Sequence, residues 1–465
     1  QNDLGNLKEA ESSLRKAIEM KPDFANAYSN LGMILNDLGN LKEAESSLRK
    51  AIELKPDFAN AYSNLGMILN DLRKFKEAES SLRKAIEFKP DFANAYTNLG
   101  SILISLGKLK QAEEYILKSI EINPNLATAY YVLSNLKYSD KNKKWQTNLF
   151  SDSILNNKTP KEKVDIYFAR SNILHKQKRY SESSKFLSLA NKIKLSLYPS
   201  KSSLLIHKSK ELMVESNNAS FNLNEHSKSI LSIFIVGMFR SGSTLLESIL
   251  SMNKEINDLG ENNLLEESYL EWKGLGKREN RLNHADLYHK KLNKLIKNSS
   301  IITNKWLYNY QYTGIIVKNI PNCKIIHSYR NPLDNILSMY RSNFAKGSEY
   351  SSSLVDCARV YLDQEEIMME YKKKYRGKIY DLNYDLLVTN PDKEIKALIS
   401  WLGWNWDDSY LSPHLSPRSV TTASNVQVRS PINTNSIGGW KKYSEILKPV
   451  IEIISNTEKY KYLII

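Results

Sequence analysis

The sequence predicts two kinds of structure in one chain: an array of helical repeats, followed by an α/β domain built on a parallel sheet. A 34-residue period runs through the first part of the chain and is marked by Pro22, Pro56, Pro90 and Pro124. Beyond residue 228 the period is lost, and short β-branched segments alternate with amphipathic ones. Strands that alternate with helices are typical of α/β folds with a parallel sheet.

Each repeat predicts a pair of packed helices. Small residues at Gly32, Ala44 and Ala51 allow two helices to approach closely. Three short segments recur almost verbatim at the start of the first helix: Ala25–Tyr28, Ala59–Tyr62 and Ala93–Tyr96. This pattern resembles the tetratricopeptide repeat. The resemblance implies an α-solenoid whose concave groove docks a protein or peptide.

Asparagines that packing does not explain recur on the first helix of each unit. They are Asn26, Asn30, Asn60, Asn64, Asn94 and Asn98. Such amides could hydrogen-bond an extended peptide backbone. Recent duplication of solvated helix positions explains them equally simply.

The repeat pattern weakens toward the middle of the chain. We therefore predict a repeat array over residues 1–137, a degenerate helical repeat and linker over 138–222, and a catalytic domain over 223–465. In the last of these, strands are predicted at residues 230–236, 323–328 and 378–383, each followed by a helix.

Composition and charge limit the possible functions. The 465 residues, with 41% hydrophobic and 25% charged, are typical of a soluble globular protein of two or three domains. No apolar stretch approaches the ~20 residues of a membrane span, and no secretory leader opens the chain. It begins at Gln1 inside a repeat, which leaves open a longer natural N-terminus. Two cysteines, Cys323 and Cys357, form no disulfide framework or zinc site and favour a cytoplasmic location.

The formal charge of +15 favours anionic partners. No nucleic-acid recognition motif is present, so we expect no nucleic-acid partner. An anionic nucleotide or an acidic acceptor is the remaining explanation.

The segment 233–246 has the order strand, glycine-containing loop, helix, which directs backbone N–H groups at an anion. The spacing of Gly237 and Gly242 is that of a P-loop, but Ser243 occupies the position of the nucleotide-binding lysine. Arg240 supplies positive charge instead. The loop resembles the 5′-phosphosulfate loop of the sulfotransferase superfamily, with these residues at the matching positions: Arg240, Ser241, Gly242, Ser243 and Thr244. Because a sulfuryl group carries less charge than a γ-phosphoryl group, neither lysine nor Mg²⁺ is obligatory.

A second segment resembles the 3′-phosphate motif of the same superfamily. Arg330 ends a predicted strand, and Ser338 follows eight residues later on the next helix. The resemblance implies that both hold the 3′-phosphate, Arg330 as a fork. Arg341 lies one turn beyond Ser338 and adds charge.

The end of the chain resembles the protein-tyrosine sulfotransferases. The resemblance implies further nucleotide contacts from Tyr384, Ser424 and Asn433. In that group a lysine precedes the next tryptophan, whereas here Gly439 precedes Trp440. Arg429 or Lys441 is expected to substitute for it.

Sulfuryl transfer needs a base on the acceptor hydroxyl and a cation near the bridging oxygen. Glu261, 21 residues beyond Arg240 in a Gly-Glu context, matches the family's base. Lys305 matches its catalytic lysine. Three histidines are weaker candidates for the base: His284, His289 and His327.

The resemblance implies an enzyme that uses 3′-phosphoadenylyl sulfate as co-substrate, without a metal, to sulfate an acceptor hydroxyl such as that of protein tyrosine. Two alternatives remain open. One is a P-loop kinase or phosphotransferase, and the other is a repeat-containing scaffold with an inactive sulfotransferase-like domain. The sequence does not identify the acceptor among tyrosine, glycan, lipid or small alcohol.

Overall fold

The structure, a computed structural model, describes residues 2–136, 144–218, 230–275, 283–296, 300–344 and 347–463. They form two compact units, Gln1–Arg179 with Ser419–Thr421, and Tyr180–Arg418 with Thr422–Ile465. The predicted domain boundaries at 137/138 and 222/223 lie outside the described residues, so that division stays a prediction.

The first unit is helical. Its helices are α1 (Asn2–Met20), α2 (Ala25–Asp37), α3 (Leu41–Leu54), α4 (Ala59–Asp71), α5 (Phe75–Phe88), α6 (Ala93–Ser105), α7 (Leu109–Ile122), α8 (Ala127–Asn135), α9 (Lys144–Phe150) and α10 (Pro160–Lys176). The pairs α2 and α3, α4 and α5, and α6 and α7 pack closely, as the repeat predicts.

Small residues permit this close packing. A Cβ atom built at Gly66 would lie 2.6 Å from Cγ of Leu82. The corresponding atom at Gly100 would lie 2.4 Å from Cγ1 of Ile116. A larger side chain at either glycine would therefore separate the two helices of its repeat.

The second unit is an α/β structure. Its elements are α11 (Tyr180–Leu197), α12 (Ser202–Asn218), β1 (Leu231–Gly237), α13 (Ser243–Leu250), β2 (Ile256–Asp258), α14 (Leu264–Gly274), α15 (His284–Leu292), β3 (Ile301–Asn304), α16 (Thr313–Asn319), β4 (Cys323–Tyr329), α17 (Pro332–Tyr340), α18 (Leu354–Lys374), β5 (Ile379–Asn383), α19 (Tyr384–Thr389), α20 (Pro391–Leu402) and α21 (Ser444–Ser455).

Short 3₁₀ turns complete the described chain: Asp152–Leu155, Leu307–Tyr310, Glu349–Ser352, Asp408–Leu411, Pro413–Leu415, Gln427–Arg429, Gly439–Tyr443 and Glu458–Leu463.

The strands form one five-stranded sheet in the order β2-β3-β1-β4-β5, and every pair is parallel. The fold prediction of helical repeats followed by an α/β domain with a parallel sheet is therefore confirmed. The predicted strands correspond to β1, β4 and β5, whereas β2 and β3 were not predicted.

The sheet is covered on both faces, as expected for parallel strands. Along β1, Ile233 and Ile235 pack in one apolar cluster with residues of α13 and α20. Phe234 and Val236 point the other way, into a cluster with residues of α15 and α16. Because both faces are buried, the polar groups of this unit meet at the ends of the strands.

Among the described helices, none combines the length and the apolar character needed to cross a membrane. Cys323 and Cys357 are both buried and free.

Candidate active site

The carboxyl ends of all five strands lie at one edge of the sheet, because every pair is parallel. Each strand delivers a predicted site residue there. Glu261 follows β2, Lys305 follows β3, Arg240 follows β1, Arg330 follows β4, and Tyr384 follows β5. Open α/β sheets bind their ligands at this edge, next to the strand from which the connections leave toward opposite sides of the sheet. Here that strand is β1.

The loop after β1 has a strained, tightly packed backbone. Gly237, Arg240 and Gly242 have φ angles of 139°, 67° and 98°. A Cβ atom at Gly237 would lie 2.3 Å from the carbonyl oxygen of Ser328, and one at Gly242 would lie 2.2 Å from Cδ2 of Tyr384. These contacts explain why glycine is needed at both positions.

The same loop leads into α13, whose first turn contains Ser243 and Thr244, both buried. The Oγ atom of Ser241 is buried without a hydrogen-bond partner among the described residues. Free N–H groups at a helix N-terminus favour an anion. The loop therefore has the geometry of an anion cradle.

Arg240 joins three segments of the second unit. Its Nε donates to Oγ of Ser338 on α17 over 3.0 Å. Its two terminal nitrogens donate to Ser424 Oγ and, over 2.8 Å, to Gln427 Oε1. The hydroxyl of Thr244 lies 3.0 Å from that of Thr422 on the same late segment. Four predicted residues are thus brought together, and the late segment closes on the loop.

Arg330 and Tyr384 form a second group. The guanidinium of Arg330 stacks 4.8 Å from the ring centre of Tyr384 and donates to the carbonyl oxygen of Ser436 over 2.7 Å. The hydroxyls of Tyr384 and Ser436 are 2.8 Å apart. Nε of Arg330 is buried and has no hydrogen-bond partner within the described chain. A buried, unsatisfied donor of a cation is an expected feature of an anion site without its ligand.

Two predicted nucleotide contacts have other partners. Arg341 ends α17 and stacks 5.6 Å from the ring centre of Tyr443. Asn433 is exposed, and its amide donates to the carbonyl oxygen of Pro431 over 2.8 Å. The assignment of both residues to the nucleotide therefore stays a prediction.

The candidate catalytic pair is in direct contact. Nζ of Lys305 lies 2.9 Å from Oε1 of Glu261. Lys305 is completely buried, whereas 39% of the Glu261 side chain is exposed. The exposed carboxylate can meet an acceptor, and the buried ammonium can act only through a group inside the site.

Sequence reasoning missed three charged residues behind this pair: Glu247, Asp258 and Arg418. Oε2 of Glu247 lies 3.5 Å from Nζ of Lys305 and 2.7 Å from Nη2 of Arg418. The same nitrogen lies 3.0 Å from Oδ2 of Asp258. A charged residue in the apolar segment Leu245–Leu250 was the available signal for Glu247.

Electrostatics keep Glu247 ionised. Burial would raise the pKa of its carboxyl, but the charges of Arg418 and Lys305 outweigh burial and lower the pKa to about 2. Arg418 has a pKa above its usual value, because these carboxylates outweigh its own burial.

The histidine candidates have other surroundings. His327 is buried in β4, with Nδ1 2.6 Å from Asp381 and Nε2 2.8 Å from Gln364. Burial lowers the pKa of His284 to about 4, and its Nε2 lies 3.1 Å from Oγ of Ser268. His289 lies on α15 beside Tyr288.

Arg429 and Lys441, which were expected to replace the lysine that precedes the tryptophan in the protein-tyrosine sulfotransferases, have different surroundings. Arg429 donates to the carbonyl oxygens of Ser416 and Arg418 over 2.9 and 2.6 Å. It thus braces the segment that carries Arg418. Lys441 is exposed, and the neighbouring Trp440 is buried.

Comparison with known proteins supports the assignment of both parts. Residues 232–408 match the model of the sulfotransferase family. Residues 1–24, 23–91 and 93–126 match tetratricopeptide repeat models.

Individual relatives are distant or partial. An uncharacterized protein of Aquifex aeolicus (strain VF5) is 33% identical over 243 residues, which are 48% of this chain and 32% of that protein. Protein-tyrosine sulfotransferase 2 of Gallus gallus is 23% identical over 49% of this chain and 67% of its own length. The sulfotransferase domain of the Synechococcus PCC 7002 olefin synthase is 16% identical, with a TM-score of 0.37 over 50% of this chain and 97% of that domain.

The chain thus spans about a third of the length of the Aquifex relative and two thirds of that of the chicken enzyme. The family matches follow the two parts of the fold: tetratricopeptide repeat models match the helical part, and the sulfotransferase family model matches residues 232–408 of the α/β part.

Proposed function

We propose that this protein is a sulfotransferase that transfers the sulfuryl group of 3′-phosphoadenylyl sulfate to an acceptor hydroxyl. The observation that carries the proposal is the meeting of an anion cradle and a Glu–Lys pair at one edge of the sheet. Arg240 lies in the cradle, and Arg330 donates to the carbonyl oxygen of Arg240 over 3.4 Å. Glu261 and Lys305 form the pair.

The donor fits the residues that are present. The loop after β1 offers backbone N–H groups and the unpartnered hydroxyl of Ser241 to the 5′-phosphosulfate. Arg330, with its unpartnered Nε, and Ser338 would hold the 3′-phosphate. The ring of Tyr384, held against Gly242, would contact the adenosine. Arg341, Ser424 and Asn433 remain proposed contacts of the nucleotide.

The chemistry is an in-line displacement at sulfur. The acceptor oxygen forms a bond to sulfur while the bond from sulfur to the bridging phosphate oxygen breaks. The leaving phosphate takes the electron pair, and Glu261 takes the proton of the acceptor hydroxyl. Lys305 stabilises the negative charge that develops on the bridging oxygen. Apart from the proton gained by Glu261, no residue of this chain forms or breaks a covalent bond, and none changes its oxidation state.

The acceptor is proposed to be a tyrosine of a protein or peptide. Support comes from the relatives, which include protein-tyrosine sulfotransferases. The repeats would dock the polypeptide. No side-chain hydrogen bond within the described chain engages the six recurrent asparagines, whose amides therefore remain available: Asn26, Asn30, Asn60, Asn64, Asn94 and Asn98.

Incubation of the full chain with ³⁵S-labelled donor and a tyrosine-containing peptide library tests the proposal directly. We expect label on tyrosine without added Mg²⁺. Strict dependence on Mg²⁺, with a nucleoside triphosphate as donor, would instead support a phosphotransferase. Absence of any transfer, despite binding of adenosine 3′,5′-bisphosphate, would support an inactive scaffold.

Nucleotide binding tests the donor site separately. Adenosine 3′,5′-bisphosphate should bind about 10–100-fold more tightly than 5′-AMP, because a charge-assisted hydrogen bond is worth ~1.5–3 kcal/mol. Arg330→Ala should abolish that preference. The control is Arg359→Ala, an arginine of α18 whose side chain is 62% exposed.

The docking role has its own test in the full chain. Replacing the six asparagines by alanine should raise the KM for a peptide acceptor and leave the KM for a small phenol unchanged. As a control, Glu53, Glu87 and Glu121 on the second helices are replaced by glutamine, since these exposed residues lie outside the asparagine positions. Equal KM values for the peptide in both variants would refute docking through the asparagines.

A further inference from the structure

The ammonium of Lys305 lies between two carboxylates with different surroundings. Glu261 is 2.9 Å away and 39% exposed, whereas Glu247 is 3.5 Å away and completely buried. Glu261 comes from the loop after β2, and Glu247 comes from the second turn of α13, the helix that follows the phosphosulfate loop. One of these carboxylates can therefore meet an acceptor, and the other cannot.

Glu247 is fixed in position and in charge. Nη2 of Arg418 contacts both Glu247 and Asp258, at 2.7 and 3.0 Å. Arg429 in turn donates to the carbonyl oxygen of Arg418. Among the described residues, Glu247 and Glu261 are the carboxylates within ion-pair distance of Lys305, and Arg418 and Asp258 lie behind Glu247. With its pKa near 2, Glu247 stays ionised throughout the pH range of enzyme assays.

The proposed reaction requires Lys305 to change partners. While the pair is intact, Oε1 of Glu261 accepts a hydrogen bond from the lysine, so only Oε2 is open to the acceptor's proton. The lysine must also reach the bridging oxygen. If Glu261 were its only counter-ion in the protein, the buried ammonium would have no carboxylate beside it while it moves from Glu261 to the bridging oxygen, which is unfavourable.

We propose that Glu247 is the standing counter-ion of Lys305, a positioning residue that keeps the lysine charged and in place when it separates from Glu261. This inference rests on the proposed sulfotransferase function. Glu261 is thereby released to act as the base, and Lys305 moves between Glu261 and the bridging oxygen without losing its ionic partner. Arg418 and Asp258 act one step further back, by holding Glu247.

A purely structural role for Glu247 is the competing explanation, in which it only pairs with Arg418. The two roles differ in what they predict for pH dependence. A structural residue changes the amount of folded enzyme at every pH. A counter-ion of Lys305 changes the pH at which the lysine loses its charge.

The test is the pH–rate profile of Glu247→Gln, with Glu365→Gln as its matched control. Glu365 is also nearly buried and bonded to a lysine, Lys459, but it contacts neither Lys305 nor Glu261. In Glu247→Gln we expect the basic limb of kcat to move to lower pH, because Lys305 loses a close opposite charge. The KM for the donor should remain within about twofold. An unmoved basic limb would overturn the proposal.

A second readout does not need turnover. In protein labelled with ¹³C at lysine Cε, the signal of Lys305 is assigned by its loss in Lys305→Met. Its titration midpoint should fall in Glu247→Gln and stay unchanged in Glu365→Gln. If wild-type protein transfers no sulfuryl group, the proposed function fails, but this titration still decides the counter-ion role.

If Glu247→Gln does not fold, the double variant Glu247→Gln/Arg418→Gln leaves no unpaired charge between these two residues, and the same downward shift is expected. An unchanged midpoint in a folded variant refutes the inference.

Discussion

The repeats and the second unit differ in where their charged side chains lie. In residues 5–136, whose side chains the structure describes, the buried polar side chains are hydroxyls only: Ser29, Ser47, Ser63, Thr97, Ser105, Ser119 and Ser134. In the second unit, Lys305, Glu247 and Arg330 are buried with their charges. The repeats are thus held together by apolar packing, whereas the second unit retains charges that burial makes costly.

Two arginines illustrate the difference. Nη2 of Arg49 lies 2.9 Å from Glu45 and 2.6 Å from Glu77 of the next repeat, and half of the Arg49 side chain (49%) is exposed. Arg418 joins two carboxylates at similar distances, but only 11% of its side chain is exposed. Since geometry and charge are alike, burial should decide how much each network contributes.

The largest effect is expected for the proposed base. Glu261→Gln should lower kcat about 10²–10⁴-fold, because a glutamine cannot accept the proton of the acceptor. Binding of adenosine 3′,5′-bisphosphate by calorimetry should be unchanged. As a control, Glu77→Gln takes away a carboxylate that lies in the repeats, and it should leave kcat toward a small phenol unchanged. A Glu261→Gln enzyme with wild-type kcat would mean that the base lies elsewhere.

Arg418→Met comes next, measured as stability. The variant leaves Glu247 buried without its partner, and removal of one member of a buried ion pair typically costs ~3–5 kcal/mol. We expect a loss of that size in the free energy of unfolding from urea titrations. A loss below about 1 kcal/mol would show that burial does not distinguish Arg418 from Arg49.

The pH dependence of stability follows from Glu247. Its pKa is lowered from 4.5 to about 2 on folding, so its stabilising contribution is present above the unfolded value and is lost as pH falls toward 2. A shift of that size corresponds to on the order of 3 kcal/mol. The difference in unfolding free energy between wild type and Glu247→Gln should therefore be largest near pH 6 and shrink toward pH 3. A difference that stays constant over this range would contradict the assigned charge.

Glycines provide the next comparison. Gly242→Ala introduces a Cβ atom at a φ of 98° and against the ring of Tyr384, so it should destabilise the loop by ~1–3 kcal/mol and weaken nucleotide binding at least tenfold. Gly66→Ala would place its Cβ atom 2.6 Å from Cγ of the buried Leu82 and separate the two helices of its repeat. The overpacking costs ~1–3 kcal/mol and is partly offset by ~1 kcal/mol of helix propensity. This variant should leave nucleotide affinity unchanged. Equal loss of affinity in both variants would refute the distinction.

The sequence predicted most of the fold because its signals are local. The 34-residue period, the loop from Gly237 to Thr244 and the strand before Arg330 each lie within one short segment. Strands β2 and β3 were missed because they have only three and four residues. Too short for a periodic pattern, they exist through pairing with distant segments.

The candidate site was predictable only in part for the same reason. Glu261 and Lys305 were found from neighbouring residues. Arg418 and Asp258 were not, because Arg418 is far in sequence from both Glu247 and Asp258, and only the fold brings it to them. The contact of Arg341 with Tyr443 is also set by packing, and residue spacing alone does not predict it.

The smallest effect is expected for Arg49→Met, the exposed counterpart of Arg418→Met. Its two ion pairs are accessible to water and salt, so each contributes about 0.2–1 kcal/mol. The free energy of unfolding should fall by no more than about 1–2 kcal/mol, and 0.5 M NaCl should reduce the difference because salt screens exposed charges. The effect of Arg418→Met should be insensitive to the same salt. If Arg49→Met costs as much as Arg418→Met and shows no salt dependence, coupling between successive repeats depends on this arginine, and apolar packing alone does not hold the array together.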